Sequence, residues 1–133
     1  MFNIPETSYT LVKMMIPAFM AILFLQSSLD KIMDYKGNLA YFTDHFKKSP
    51  LAKMVGVMTP VLTILELAAG VLCAIGTISL YSGNKFWAFN GLVVAAVSLL
   101  SLFFGQRVAK DYAGALSIAV YFGVNVLGLL ILV

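Results

Sequence analysis

The sequence predicts an all-α integral membrane protein, a four-helix bundle with a short interfacial amphipathic helix in its first loop. Three observations carry this reading. First, 61% of the 133 residues are hydrophobic and 11% are charged, with a mean hydropathy of +0.94. A soluble domain averages about 45–50% apolar and about 25% charged, and a small soluble fold leaves much of its surface in water. Second, the charges are cleared from four windows, each near the roughly 20 apolar residues that a spanning helix needs. Third, Lys and Arg concentrate on alternate connections, as they do in multi-pass proteins.

Nothing is charged between Lys13 and Asp30, which places span one at about 11–29. Residues 1–10 carry Glu6 and no Lys or Arg, so the basic region of a signal peptide is missing and span one is expected to stay as an anchor. Between Lys53 and Lys85 the only charge is Glu66, giving span two at about 54–80. Span three, about 86–104, lies between Lys85 and Arg107; span four, about 112–133, follows Asp111. Pro17 and Pro60 fall inside spans one and two, where each removes a backbone donor. The whole chain, 1–133, reads as one transmembrane domain.

The connections differ. A tight turn at 81–84 joins spans two and three, and a polar stretch at 105–111 joins spans three and four. The long first loop places Leu39, Phe42 and Phe46 at helical spacing, with Asp44, Lys47 and Lys48 on other faces. This predicts an interfacial helix over about 38–48, with Asn38 capping its first turn. Ser49-Pro50 reads as an N-cap followed by proline at the first helical position, an earlier start for span two.

Seven of the nine basic residues, Lys31, Lys36, Lys47, Lys48, Lys53, Arg107 and Lys110, fall on the first and third loops; Lys13 and Lys85 fall on the other face. The positive-inside rule then puts both termini outside and the long loop in the cytoplasm. The net charge of +3 is a topology signal of this kind, and no nucleic-acid partner is expected.

In lipid, helices meet through small residues and interhelical hydrogen bonds. Ala115, Ala119 and Gly123 form a small-residue face on span four, and Gly70 and Ala74 share a face with Glu66 on span two. This packing seam serves either the chain's own bundle or a second subunit, a homo-oligomer included. Asn90, Ser98, Ser101, Ser117 and Asn125 are expected to face inward, because an unpaired polar group in hydrocarbon is costly.

Glu66 is the most informative residue. A carboxylate near mid-membrane costs about 2.5–3.5 kcal/mol on insertion scales, so it must be protonated, paired or hydrated. Lys31 and Arg107 are the cations within reach, and Gln26, Ser27 and Ser28 stand about a turn from Lys31. The group reads either as a polar pocket that binds a head group or relays a proton, or as an ion pair that sets helix register. His45 has no metal-ligand neighbours at suitable spacing, so no metal is expected. No catalytic constellation is present, and the chain is not expected to be an enzyme on its own. Cys73 stands alone, which excludes an internal disulfide.

Three segments carry a family resemblance: PheLeuGlnSerSerLeuAspLysIleMetAsp at 24–34, GluLeuAlaAlaGlyValLeuCysAlaIleGly at 66–76, and GlyGlnArgValAlaLysAspTyrAlaGlyAla at 105–115. Together they resemble the DoxX-like family of small four-helix bacterial membrane proteins, over nearly the whole chain. The resemblance implies a bundle related in outline to quinone-linked membrane proteins, located in the bacterial cytoplasmic membrane. It also implies that the family's lysine after span one and glutamate in span two map onto Lys31 and Glu66. Family members resemble subunits of thiosulfate:quinone oxidoreduction and terminal oxidases, or partners of thiol-redox proteins. This chain departs from the redox-active members in having no cysteine pair.

Two functional expectations follow. One is an accessory or structural subunit of a larger membrane complex, respiratory or quinone-linked, surrounded by lipid and other membrane subunits. The alternative is a quinone- or lipid-binding redox component using the buried Glu66 and Lys31. A transporter ranks last, since no inverted repeat or broken helix pair is evident.

Overall fold

The computed structural model describes residues 5–133. Residues 1–4, part of the stretch read for a signal peptide, lie outside the described residues. Five α-helices follow in order: α1 (Glu6–Met33), α2 (Tyr35–Phe46), α3 (Val55–Tyr81), α4 (Phe86–Val108) and α5 (Tyr112–Leu132). No strand occurs among the described residues. Four of these helices, with α3 extended by a 3-10 turn at Ala52–Met54, are long and apolar enough to cross a membrane.

Helix α1 runs past the charge-free window at both ends. Glu6 in its first turn and Lys31 in its last complement the helix dipole. A charge-free window marks the length that hydrocarbon tolerates, whereas a helix continues into the interface where charges are solvated. Pro17 and Pro60 both lie within continuous helices.

Asp34 ends α1 and starts α2: its backbone N–H bonds to the Asp30 carbonyl at 3.2 Å, while its carboxylate accepts from the Gly37 N–H at 3.2 Å. Any side chain at Gly37 would run into that carboxylate. This corrects the expectation that Asn38 caps the helix. Asn38 instead donates to the Asp30 and Asp34 carbonyls, at 3.2 and 2.9 Å, and ties the two helices together. The Ser49-Pro50 pair also departs from expectation. Ser49 accepts from the Leu51 N–H at 3.0 Å in a turn, and the 3-10 segment intervenes before α3.

Helix α1 packs on α3, α3 on α4, and α4 on α5, which returns more sparsely to α1. The core lies among them, around Met20, Phe24, Ala69, Cys73, Leu92 and Leu99. Close approach depends on small residues. A Cβ at Gly76 would overlap the Ala88 backbone, and one at Gly91 would come 2.8 Å from the Cys73 nitrogen. Ser98 and Asn125 are buried, as expected. Ser101 and Ser117 are exposed instead, because each hydroxyl is satisfied by the carbonyl four residues back. Asn90 is half-buried and does the same to the Phe86 carbonyl.

Candidate functional site: a buried ion pair beside a polar latch

Ser27 and Lys31 are four residues apart and so share one face of α1. That face meets α3 at Glu66. The Lys31 ammonium lies 3.0 Å from Glu66 Oε2, with side chains 10% and 1% exposed. Ser27 donates to the same Oε2 at 2.9 Å, and Lys31 donates to the Ser27 hydroxyl at 2.8 Å. Three groups thus close a triangle in which the carboxylate is neutralised by a single cation. The Phe42 ring of α2 covers the ammonium, 5.9 Å from centroid to Nζ. A cation over an aromatic face gains further stabilisation once water is excluded.

Among the described residues, both bonds to the carboxylate go to Oε2 and neither to Oε1. The same buried face of α3 carries Thr59 and Thr63. Their hydroxyls donate to the Val55 and Thr59 carbonyls, at 2.9 and 2.7 Å. Chemically, the arrangement can hold a charge pair out of water and present one carboxylate oxygen to a donor or a proton.

The remaining expected members of this pocket lie elsewhere. Gln26 is exposed, since it projects one residue away from the Ser27 face. Arg107 does not join Glu66; it is exposed, and its guanidinium stacks 4.9 Å from the Tyr112 ring centroid, across the α4–α5 joint. Ser28 is buried but bonds its own helix, at the Leu25 carbonyl. Of the expected seam, Ala115 and Gly70 are buried and Ala74 is half-buried. A Cβ at Gly70 would meet Leu25 at 2.9 Å, so this glycine brings α1 and α3 together. Ala119 and Gly123 face outward, and nothing lies within 4 Å of a Cβ placed at Gly123. The inward face of α5 is formed by Ala115, Asn125, Gly128 and Leu132. Asn125 donates to the Leu92 carbonyl at 2.9 Å, leaving its Oδ1 buried without a partner among the described residues.

A second polar group escaped the sequence reading. His45 on α2 meets Gln106 on α4, with 2.8 Å between Nε2 and Oε1, and Asp111 at the start of α5 lies 3.6 Å from the same nitrogen. Both neighbours are acceptors, so the tautomer with its proton on Nε2 is the one that donates here. Tyr41 stacks on the imidazole and Phe46 meets it edge-on. Asp111 also accepts from the Gly114 N–H at 2.9 Å, capping α5. This latch fastens α2 to the α4–α5 joint. The only sequence signal for it was the Asp-x-x-Gly spacing of the cap, because His45 and Gln106 stand 61 positions apart. Among the described residues no cluster of three His, Cys, Asp or Glu side chains is placed to hold a metal ion.

Between the latch and α3 lies an apolar groove of about 530 Å³. Phe42 and Phe46 of α2, Met58 and Leu65 of α3, and Leu100 and Gln106 of α4 are among its walls. None of its lining residues among those described is charged. Phe42 lines it too and, lying over the Lys31 ammonium, stands between groove and ion pair.

Comparison of the chain with protein-family models, with curated proteins and with solved structures finds no match.

Proposed function

We propose that this chain is an accessory or structural subunit of a larger assembly in the bacterial cytoplasmic membrane, of the respiratory or quinone-linked kind. The reading takes the four long helices as a transmembrane bundle, with α2 in the interface and both chain ends on the outer side. The observation that carries it is the outward face of α5. Gly76, Gly91 and Gly70 are each used up in contacts inside the chain, whereas Ala119 and Gly123 present a small-residue surface with open space above it. Small residues in hydrocarbon let a neighbouring backbone approach closely. The resemblance to DoxX-like proteins supports the same class. Gentle detergent extraction of the tagged chain from its native membrane, followed by mass spectrometry, tests it. Stoichiometric recovery with other membrane subunits is expected, and loss of those subunits from Gly123→Leu would place the seam on α5. Recovery of a stable, unattached monomer would overturn the proposal.

A second reading makes the chain a quinone- or lipid-binding redox component in which Glu66 and Lys31 handle a head group or its proton. It is favoured by the convergence of both bonds on Oε2, which leaves Oε1 for a donor. Here Glu66→Gln is expected to remain folded and to lose the quinone or lipid that co-purifies with the wild type. Unchanged retention of that molecule would remove the reading.

A further inference from the structure

The groove and the chain segment beside it point to a site separate from the ion pair. Its walls are hydrocarbon apart from Thr59, Ser101 and Gln106. The Thr59 and Ser101 hydroxyls donate to their own helices, and Gln106 Oε1 is taken by His45. A charged group inside the groove would find no counter-ion. What fits such walls is a flexible apolar chain. About 530 Å³ falls within the roughly 300–1,000 Å³ of small-molecule sites. Val61, Leu100 and Phe104 line the groove and are themselves exposed, so it opens sideways, where a bilayer would supply the chain.

The rim differs. The connection that supplies Leu51 and Met54 to the wall also carries Lys47, Lys48 and Lys53, all exposed. Lys47 pairs with Asp44 at 3.0 Å, but no acidic partner of Lys48 or Lys53 occurs among the described residues. An uncharged slot beside a cationic rim is complementary to one membrane component: an apolar tail carrying an anionic head. Basic pockets between helices hold acidic lipid head groups on this principle. We propose that the α2–α3–α4 groove is a binding site for an anionic glycerophospholipid. One acyl chain lies against Met58, Leu65 and Leu100, and the phosphate lies at Lys48 and Lys53. The site requires no protein partner, and Glu66 is not a member of it.

Native mass spectrometry of the whole chain in mild detergent, with equal phosphatidylglycerol and phosphatidylcholine, tests this. One phosphatidylglycerol per chain is expected to be retained in preference. The double substitution Lys48→Gln/Lys53→Gln should cut that preference about tenfold to thirtyfold, from about 1 kcal/mol per lysine near an anionic head. Leu65→Trp should displace both lipids by filling the slot. Leu100→Trp, at a half-exposed wall position, gives the same test if Leu65→Trp does not fold. Lys13→Gln/Lys85→Gln, at the other end of the bundle, should leave that preference unchanged. Equal retention of the two lipids would overturn the proposal. So would preference lost through Lys13 and Lys85, or phosphatidylglycerol retained by a folded tryptophan variant.

Discussion

The two ends of the bundle are built by different means. At the end formed by the α3–α4 turn, the backbones themselves touch: Gly76 lies against Ala88, and the turn closes through Gly83 at φ 87°. A bond from the Lys85 ammonium to the Leu132 carbonyl, at 3.0 Å, links this end to α5. At the other end side chains make the links: Lys31, Glu66 and Ser27 tie α1 to α3, and His45, Gln106 and Asp111 tie α2 to the α4–α5 joint. At the first end glycine lets two backbones close on each other. At the second, the bridge from His45 to Gln106 stands beside the groove, a gap that another molecule can enter.

The largest effect expected from breaking this contrast is at the bridged end. Lys31→Ala strands a carboxylate that is 1% exposed, and removing one partner of a buried pair costs about 3–5 kcal/mol. Replacing both, as Lys31→Met/Glu66→Leu, should recover most of that loss, since two apolar groups need no compensation. Unfolding of the two variants in a common detergent micelle measures the difference. A double variant no better than Lys31→Ala would mean that the pair does more than compensate its own charges.

Next comes the close-packed end. Gly76→Val drives side-chain atoms into the Ala88 backbone, which cannot yield as a side chain would. A loss at or above the usual overpacking cost of about 1–3 kcal/mol is expected in the same assay. Gly105, whose added Cβ would sit 3.5 Å from the Phe46 ring, should accept alanine with less than half that loss.

A smaller and cleaner contrast lies in two helix ends of one design. After α3, Asn84 N–H bonds to the Ser79 carbonyl and Gly83 N–H to that of Leu80. After α4, Asp111 N–H bonds to Gln106 and Lys110 N–H to Arg107 in the same pattern. Both are Schellman caps. The left-handed position is glycine in the first, at φ 87°, and lysine in the second, at φ 61°. Left-handed backbone costs a non-glycine residue about 1–2 kcal/mol. Gly83→Ala should therefore destabilise and Lys110→Gly should stabilise, each by about 1 kcal/mol, with opposite shifts of the unfolding midpoint. The smallest effect is at Gly123, where leucine should change the stability of the isolated chain by less than about 0.5 kcal/mol.

Much of this architecture was legible because it follows from local and additive properties. Four long helices appear where charges are absent, since each residue contributes its transfer cost independently of its neighbours in space. Glu66 stood out for the same reason, and Lys31 was named with it because a charge at depth requires a counter-charge. Choosing between Lys31 and Arg107 was another matter. Both lie near the same end of the chain's spans, and spacing along a helix cannot tell which helix faces α3 at that height. Asn38 was misassigned as a cap because Asp34, four residues earlier, offered equivalent chemistry.

The sequence by itself determined that the chain is helical, that four helices are long and apolar enough to cross a membrane, and that one carboxylate among them needs a partner. These are consequences of hydrophobicity and hydrogen bonding within a segment. Only the tertiary structure decided that Lys31 is that partner, that His45 reaches Gln106 across 61 residues, and that Ala119 and Gly123 look outward. Each of these depends on how one helix is rotated against another, which is set by the summed packing of every interface, not by any stretch of chain alone.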